Sequence, residues 1–77
     1  MKYFIIESAV VNGEVATGVT TKETYDDARM VFHQIRASQL ANPNCTYGMA
    51  MIIDEQTDTF EREYHDKTPE PNVTPEE

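Results

Sequence analysis

Residues 2–11, KYFIIESAVV, are rich in β-branched and aromatic types, and apolar side chains fall at odd and even positions alike. Because side chains alternate across a strand, Phe4, Ile6, Ser8 and Val10 share one face and Tyr3, Ile5, Glu7, Ala9 and Val11 the other. Neither face is polar, so the pattern predicts a central strand or a strand near an intermolecular contact. Asn12-Gly13 comes next, and both residues tolerate the positive φ of a type I′ hairpin turn. A second strand is predicted over about residues 15–21, with Val15, Thr17 and Val19 to one side and Gly18 reducing its regularity.

From Tyr25 the period becomes helical. Thr24 is the N-cap candidate, Asp27 stands where a capping box places its acidic partner, and Asp26 adds negative charge at the positive end of the helix. The helix is predicted over Tyr25–Ala41 and ends at Asn42-Pro43, because a residue before proline is driven out of the helical region. Tyr25, Ala28, Val31, Phe32, Ile35 and Gln39 form a stripe, with Ser38 at its edge, wide enough to seal one face of a small sheet. Leu40 lies toward the opposite margin and is expected against a loop or neighbour. Met30, His33, Ala37 and Ala41 make a minor outward stripe whose small residues would permit close helix approach.

Residues 45–53, CTYGMAMII, read as a third strand, with Cys45, Tyr47, Met49, Met51 and Ile53 on one face and Thr46, Gly48, Ala50 and Ile52 on the other. After the turn-like DEQTD, residues 59–65 alternate cleanly, Phe60, Arg62 and Tyr64 opposing Glu61, Glu63 and His65. This fourth strand is expected at a sheet edge. From Asp66 the chain reads DKTPEPNVTPEE, whose three prolines and single aliphatic residue give little to fold around, so 66–77 is expected to be a disordered acidic tail. The order is ββαββ in one domain, residues 1–65. It predicts an α+β fold with one four-stranded antiparallel sheet and one helix packed on one face. A single helix leaves the second face uncovered, although the first and third strands carry apolar groups on both sides. A second chain related by a twofold axis is the expected cover.

Size supports that expectation. A 77-residue chain buries only roughly 60% of its unfolded-state surface, so its core alone is marginal. Lone Cys45 allows no internal disulfide and suits a reducing compartment. With no apolar run near membrane-spanning length and an opening too soon interrupted by Glu7 for a signal peptide, the expected location is cytoplasmic. Two matches to the glycosylation pattern, at Asn44 and Asn72, are then chance.

Fourteen acidic against six basic side chains give a formal net charge of -8. The excess is present in both parts, with ten acidic and five basic residues in 1–65 and four and one in 66–77. Such a chain repels a phosphate backbone and an anionic membrane, so neither direct nucleic-acid binding nor membrane binding is expected. The aromatics Tyr3, Tyr47, Phe60 and Tyr64 are accordingly read as core or dimer-contact groups rather than as a base-stacking platform.

The chemistry-bearing residues do not converge in sequence. His33 is a candidate for acid-base work as a histidine, but such work needs a cleft and a partner within hydrogen-bond reach, and its neighbours one turn away are the cations Arg29 and Arg36. His65 shares a predicted face with Glu61 and Glu63, which would stabilise its cation or form a weak metal site, yet simple strand alternation yields the same arrangement. Cys45 begins an apolar strand without an adjacent cation to favour its thiolate. Asp54, Glu55 and Asp58 lack the spacing of a calcium loop and are read as turn caps. Gly13 and Gly18 form no phosphate loop. Hence no catalytic residue, metal ligand or cofactor is assigned.

Several segments together carry a resemblance. They are Lys2 to Ser8, the Asn12-Gly13 turn, Ala28, Phe32-His33-Gln34, Ala37-Ser38, Ala41-Asn42 and the strand ending Ile53-Asp54-Glu55. Over residues 2–65 the chain resembles short uncharacterised proteins of Gram-positive bacteria and their mobile elements, a resemblance that implies no established activity. The function expected from the residues is a small non-enzymatic homodimeric structural or interaction module. Its candidate interface residues are Met30, His33, Ala37, Tyr47, Met49 and Met51. The alternatives are an acidic adaptor or inhibitor of a basic or nucleic-acid-processing partner, and a small enzyme with its site at a dimer cleft.

Overall fold

The computed structural model describes residues 1–67; of the expected tail, 66–77, residues 68–77 lie outside them, whereas Asp66 ends a strand and the Lys67 amide donates to the Thr46 carbonyl. Strands β1 (Tyr3–Val11) and β2 (Glu14–Lys22) are followed by helix α1 (Tyr25–Ala41) and strands β3 (Cys45–Asp54) and β4 (Thr59–Asp66). The four strands form one antiparallel sheet in the order β2-β1-β3-β4, with α1 packed on one face. The ββαββ, α+β expectation is met.

Local chemistry sets the connections. Asn12 (φ 54°) and Gly13 (φ 81°) take the left-handed region that a two-residue hairpin requires, closing β1 on β2 with Val11 opposite Glu14. The Asp27 amide donates to Thr24 Oγ1 at 3.2 Å, so the predicted N-cap is in place. At the other end Asn42 leaves the helical region, its amide donating to the Ser38 carbonyl before Pro43. Between β3 and β4, the nearly buried Asp54 carboxylate accepts from the amides of Gln56 (2.8 Å) and Asp58 (3.0 Å). This is the turn-capping role expected of it.

The core lies between helix and sheet. Ile5, Ala50 and Ile52 from the central strands enclose Ala28 and Phe32, with Tyr3, Tyr25, Val31 and Ile35 around them. The helix stripe is as predicted for these residues, but it also buries Arg36, which the stripe did not include. Leu40, expected against a loop or neighbour, is exposed, because the buried arc is centred on Ala28, Phe32 and Gln39.

Two irregularities re-aim side chains that simple alternation misplaces. The β1–β3 register shifts between Val10 and Val11, so Val10 faces Tyr47 while Val11 faces Cys45, and Thr46 is the extra residue. Cys45 is therefore carried to the helix side, where it is fully buried, instead of sharing a face with Tyr47, Met49 and Met51. A second shift puts Ile52 opposite Glu61 and Ile53 opposite Thr59, leaving Phe60 as the extra residue. Phe60 then leaves the face of Arg62 and Tyr64 and joins Tyr3 and Tyr25 in an aromatic cluster with ring centroids 5.5–5.8 Å apart.

Candidate interaction face

The face of the sheet away from α1 is laid out in rows by the strand register. Val19, Ile6, Met51 and Arg62 form one row across β2, β1, β3 and β4, and Thr17, Ser8, Met49 and Tyr64 form the next. Val15, Val10, Tyr47 and Asp66 lie on one side of these, and Thr21, Phe4, Ile53 and Thr59 on the other. Arg62 and Asp66, both on edge strand β4, are the charged residues of this surface; the remainder is aliphatic, aromatic, Met, Ser or Thr. Val15 and Tyr64 are each 71% exposed and Val19 64%, while the central residues are half-buried by their strand neighbours. A shallow depression of about 380 Å³ runs between β3 and β4, lined by Tyr47, Met49, Ala50, Met51, Arg62, Glu63 and Tyr64. The Tyr47 and Tyr64 rings stand 6.3 Å apart along it.

The helix-covered side is the polar one. Along β4, alternation turns Glu61, Glu63 and His65 toward α1, whose Tyr25, Arg29 and Arg36 lean to meet them. Glu61 accepts from Tyr25 Oη at 2.9 Å and pairs with Arg29 Nε at 2.7 Å. The Tyr25 hydroxyl is held above its ordinary pKa, chiefly because that hydrogen bond to Glu61 favours the protonated phenol, aided by desolvation. Arg36, buried beneath the helix, donates to Glu63 Oε1 at 3.1 Å and to Gln39 Oε1 at 2.5 Å. Gln39 in turn donates to the carbonyls of Met49 (3.1 Å) and Ser8 (3.4 Å). Gly48 lies under this network, and a Cβ there would meet Gln39 and the His65 ring at 2.9 Å.

His65 is enclosed, and neither of its ring nitrogens finds a hydrogen-bond partner of good geometry. Desolvation, then the nearby Arg36 and Lys67 cations, push its pKa below the ordinary value, against the smaller influence of the Cys45 backbone and Asp66. The expectation that Glu61 and Glu63 would stabilise its cation is overturned, because helix arginines engage both carboxylates.

The six predicted interface residues fall on two separate surfaces. Tyr47, Met49 and Met51 lie on the open sheet face, whereas Met30, His33 and Ala37 are exposed on the outer side of the helix. His33 has Arg29 Nη2 at 3.4 Å and the Phe32 ring beside it, with no cleft around it. Cys45 donates its thiol to the Tyr47 carbonyl at 3.2 Å and is shut away from solvent. An open groove of about 450 Å³ follows the helix-side junction of α1 with β1 and β2, where Glu7, Gln34 and Ser38 contribute polar groups without converging on one point. Among the described residues, no cluster of three or more His, Cys, Asp or Glu is arranged to hold a metal ion.

The residues that sequence reasoning left out of the interface are those of β1 and β2. Ile6, Ser8, Val10, Val15 and Val19 become continuous with Tyr47, Met49 and Met51 only through the strand order. The fold and this surface define a small two-layer α+β domain with one uncovered apolar sheet face. Neither a protein family, a curated protein nor a solved structure matches the chain.

Proposed function

We propose that this chain is a small non-enzymatic protein-interaction module whose working surface is the helix-free face of the sheet. The observation that carries this reading is an inverted distribution of charge. In a two-layer domain that works alone, the solvated face of the sheet is the polar one. Here Glu7, Glu14, Lys22, Asp54, Glu61 and Glu63 sit on the helix side, and the face left to water carries charge at two β4 residues only, Ser8 and three threonines lying among its aliphatic, aromatic and Met side chains. Contiguous apolar surface beyond a few hundred Å² marks a contact site in soluble proteins.

The test sets the two candidate surfaces against each other. Met49→Glu with Tyr64→Ser on the sheet should abolish association, whether with another protein or with itself, as read by analytical ultracentrifugation. Met30→Glu with Ala37→Glu on the outer helix should leave it unchanged. The reverse outcome would transfer the function to the helix. An acidic adaptor would instead dock through the exposed Glu23, Asp26 and Asp27 near the helix start. That mode weakens as salt rises, whereas apolar contact through the sheet does not.

A further inference from the structure

Resting on that reading, we infer that the occupant of the open face is a second copy of this chain, packed face to face about a twofold axis parallel to the strands. Four observations support this occupant and geometry. First, the area suffices for a small dimer: a sheet about 30 Å long and 19 Å wide presents roughly 570 Å², or about 1,100 Å² over two copies, just above the roughly 1,000 Å² that a specific interface needs. Second, the face has no set of like charges with which to recruit an oppositely charged protein. Asp66 at the β4 edge apart, the acidic groups of two copies among the described residues would project from turns, helices and helix-side positions, away from the shared layer.

Third, the face is self-complementary in relief. In its two central rows the β3–β4 half carries the taller side chains, Met49, Met51, Arg62 and Tyr64, and the β2–β1 half is lower, with Thr17 and Ser8 in the same row as Met49 and Tyr64, while Phe4 and Thr59 reverse this in the end row. A twofold parallel to the strands lays β3 over β1 and β4 over β2 of the second copy. Met49 then covers Ser8, Tyr64 covers Thr17 and Met51 covers Ile6, in both directions at once, as an isologous contact requires. A twofold across the strands would instead set Met49 near Met49 and Tyr64 near Tyr64, tall on tall, and leave the low half unfilled. Aligned sheets pack about 10 Å apart with a tilt of about 30°, a gap that long side chains fill from one side when the opposing residue is small. Fourth, the chain beyond the described residues is a poor cover, since residues 68–77 contain one aliphatic side chain, Val73.

The experiment uses edge-strand positions, where substitution does not disturb the core. Thr17 and Tyr64 are exposed and stand about 14 Å apart in one chain, three strand spacings, too far to pair within it. Sedimentation equilibrium of the full chain should give a monomer–dimer equilibrium that tightens as salt screens repulsion between the two acidic protomers. Thr17→Lys and Tyr64→Glu should each weaken the dimer by about 10-fold or more, and Met49→Glu by about 100-fold, with circular dichroism confirming that each remains folded. Mixing the Thr17→Lys and Tyr64→Glu chains should restore association as a heterodimer, because each mixed pair has one Lys opposite one Glu and one native Thr–Tyr contact. A chain ending at Lys67 should dimerise like the full one.

A native chain that stays monomeric at millimolar concentration, yet binds an apolar fluorescent dye that Met49→Glu abolishes, would overturn the second copy while leaving the contact face standing. A dimer indifferent to all three substitutions would overturn both, placing the contact on the helix or along the β2 edge. Loss of dimer in each single variant without rescue on mixing would reject the axis parallel to the strands. Dimerisation only after removal of residues 68–77 would make the tail the occupant.

Discussion

On β4, Glu61 and Glu63 turn toward the helix and meet Arg29 and Arg36, while Arg62 and Tyr64, one residue away, turn to the uncovered side. The same alternation runs through the whole sheet and produces two unlike faces. The covered face combines a small apolar centre at Ile5, Ala50 and Ile52 with an ionic flank along β4, and the open face is mostly apolar, with Ser8, three threonines and two charged β4 residues among its aliphatic, aromatic and Met side chains. Burial and apolarity are therefore separable in this fold. The helix closes over a polar network because Gly48 leaves room for Gln39 to lie flat on the sheet and hold Arg36. The open face has no such partners for polar groups and contains few of them.

The comparison is broken most severely at Phe32. Phe32→Ala empties the centre of the covered side and should cost about 3–5 kcal/mol of unfolding free energy, whereas Met49→Ala on the open face of the monomer should cost under about 1 kcal/mol. Chemical denaturation of both variants under monomeric conditions measures the contrast. Next is Gly48→Ala, which forces a methyl group against the Gln39 amide and the His65 ring and should destabilise by about 2 kcal/mol. Gly18→Ala, on the same face, meets only the Glu7 carboxylate at 3.2 Å beside an open groove and should cost well under half as much.

A smaller effect has the opposite sign. Thr57, at φ 66° in the β3–β4 turn, holds a β-branched residue in the left-handed region, so Thr57→Gly should raise stability by about 1 kcal/mol and increase the melting temperature. The smallest effect concerns pH. His65 has a lowered pKa in the folded chain, so the unfolded chain binds its proton first as pH falls below the ordinary value of 6.5. Its contribution to stability is complete above that value and is lost as pH drops toward the depressed one. His65→Met should remove this part of the acid-side slope, detected by comparing denaturation midpoints between pH 7 and 5. An unchanged slope would show that His65 titrates normally.

The elements themselves were readable because their signals are local. Asn12-Gly13 supplies a turn through backbone preference, Thr24 caps through its own hydroxyl, and Asn42-Pro43 ends the helix by a steric clash with the preceding residue. The surface was only partly readable. Tyr47, Met49 and Met51 were visible as an apolar strand face, but Met30, His33 and Ala37 belong to the other side of the molecule. Cys45 and Phe60 were misplaced because each adjoins a register shift, and a one-residue slip inverts which face a side chain occupies. Arg36 was overlooked as a buried residue because its cover depends on Glu63 and Gln39, one of them 27 positions away.

Sequence by itself thus determined the ββαββ order, the helix bounds, the hairpin and the presence of more apolar strand surface than one helix can cover. These follow from side-chain periodicity and from the backbone preferences of adjacent residues. Only the tertiary structure decided that β1 lies between β2 and β3, which joins four separate half-apolar strands into one face, and that Glu61 and Glu63 of β4 are paired with arginines of the helix. Strand order and register are set by contacts between residues far apart in the chain, whose joint energy no local pattern contains.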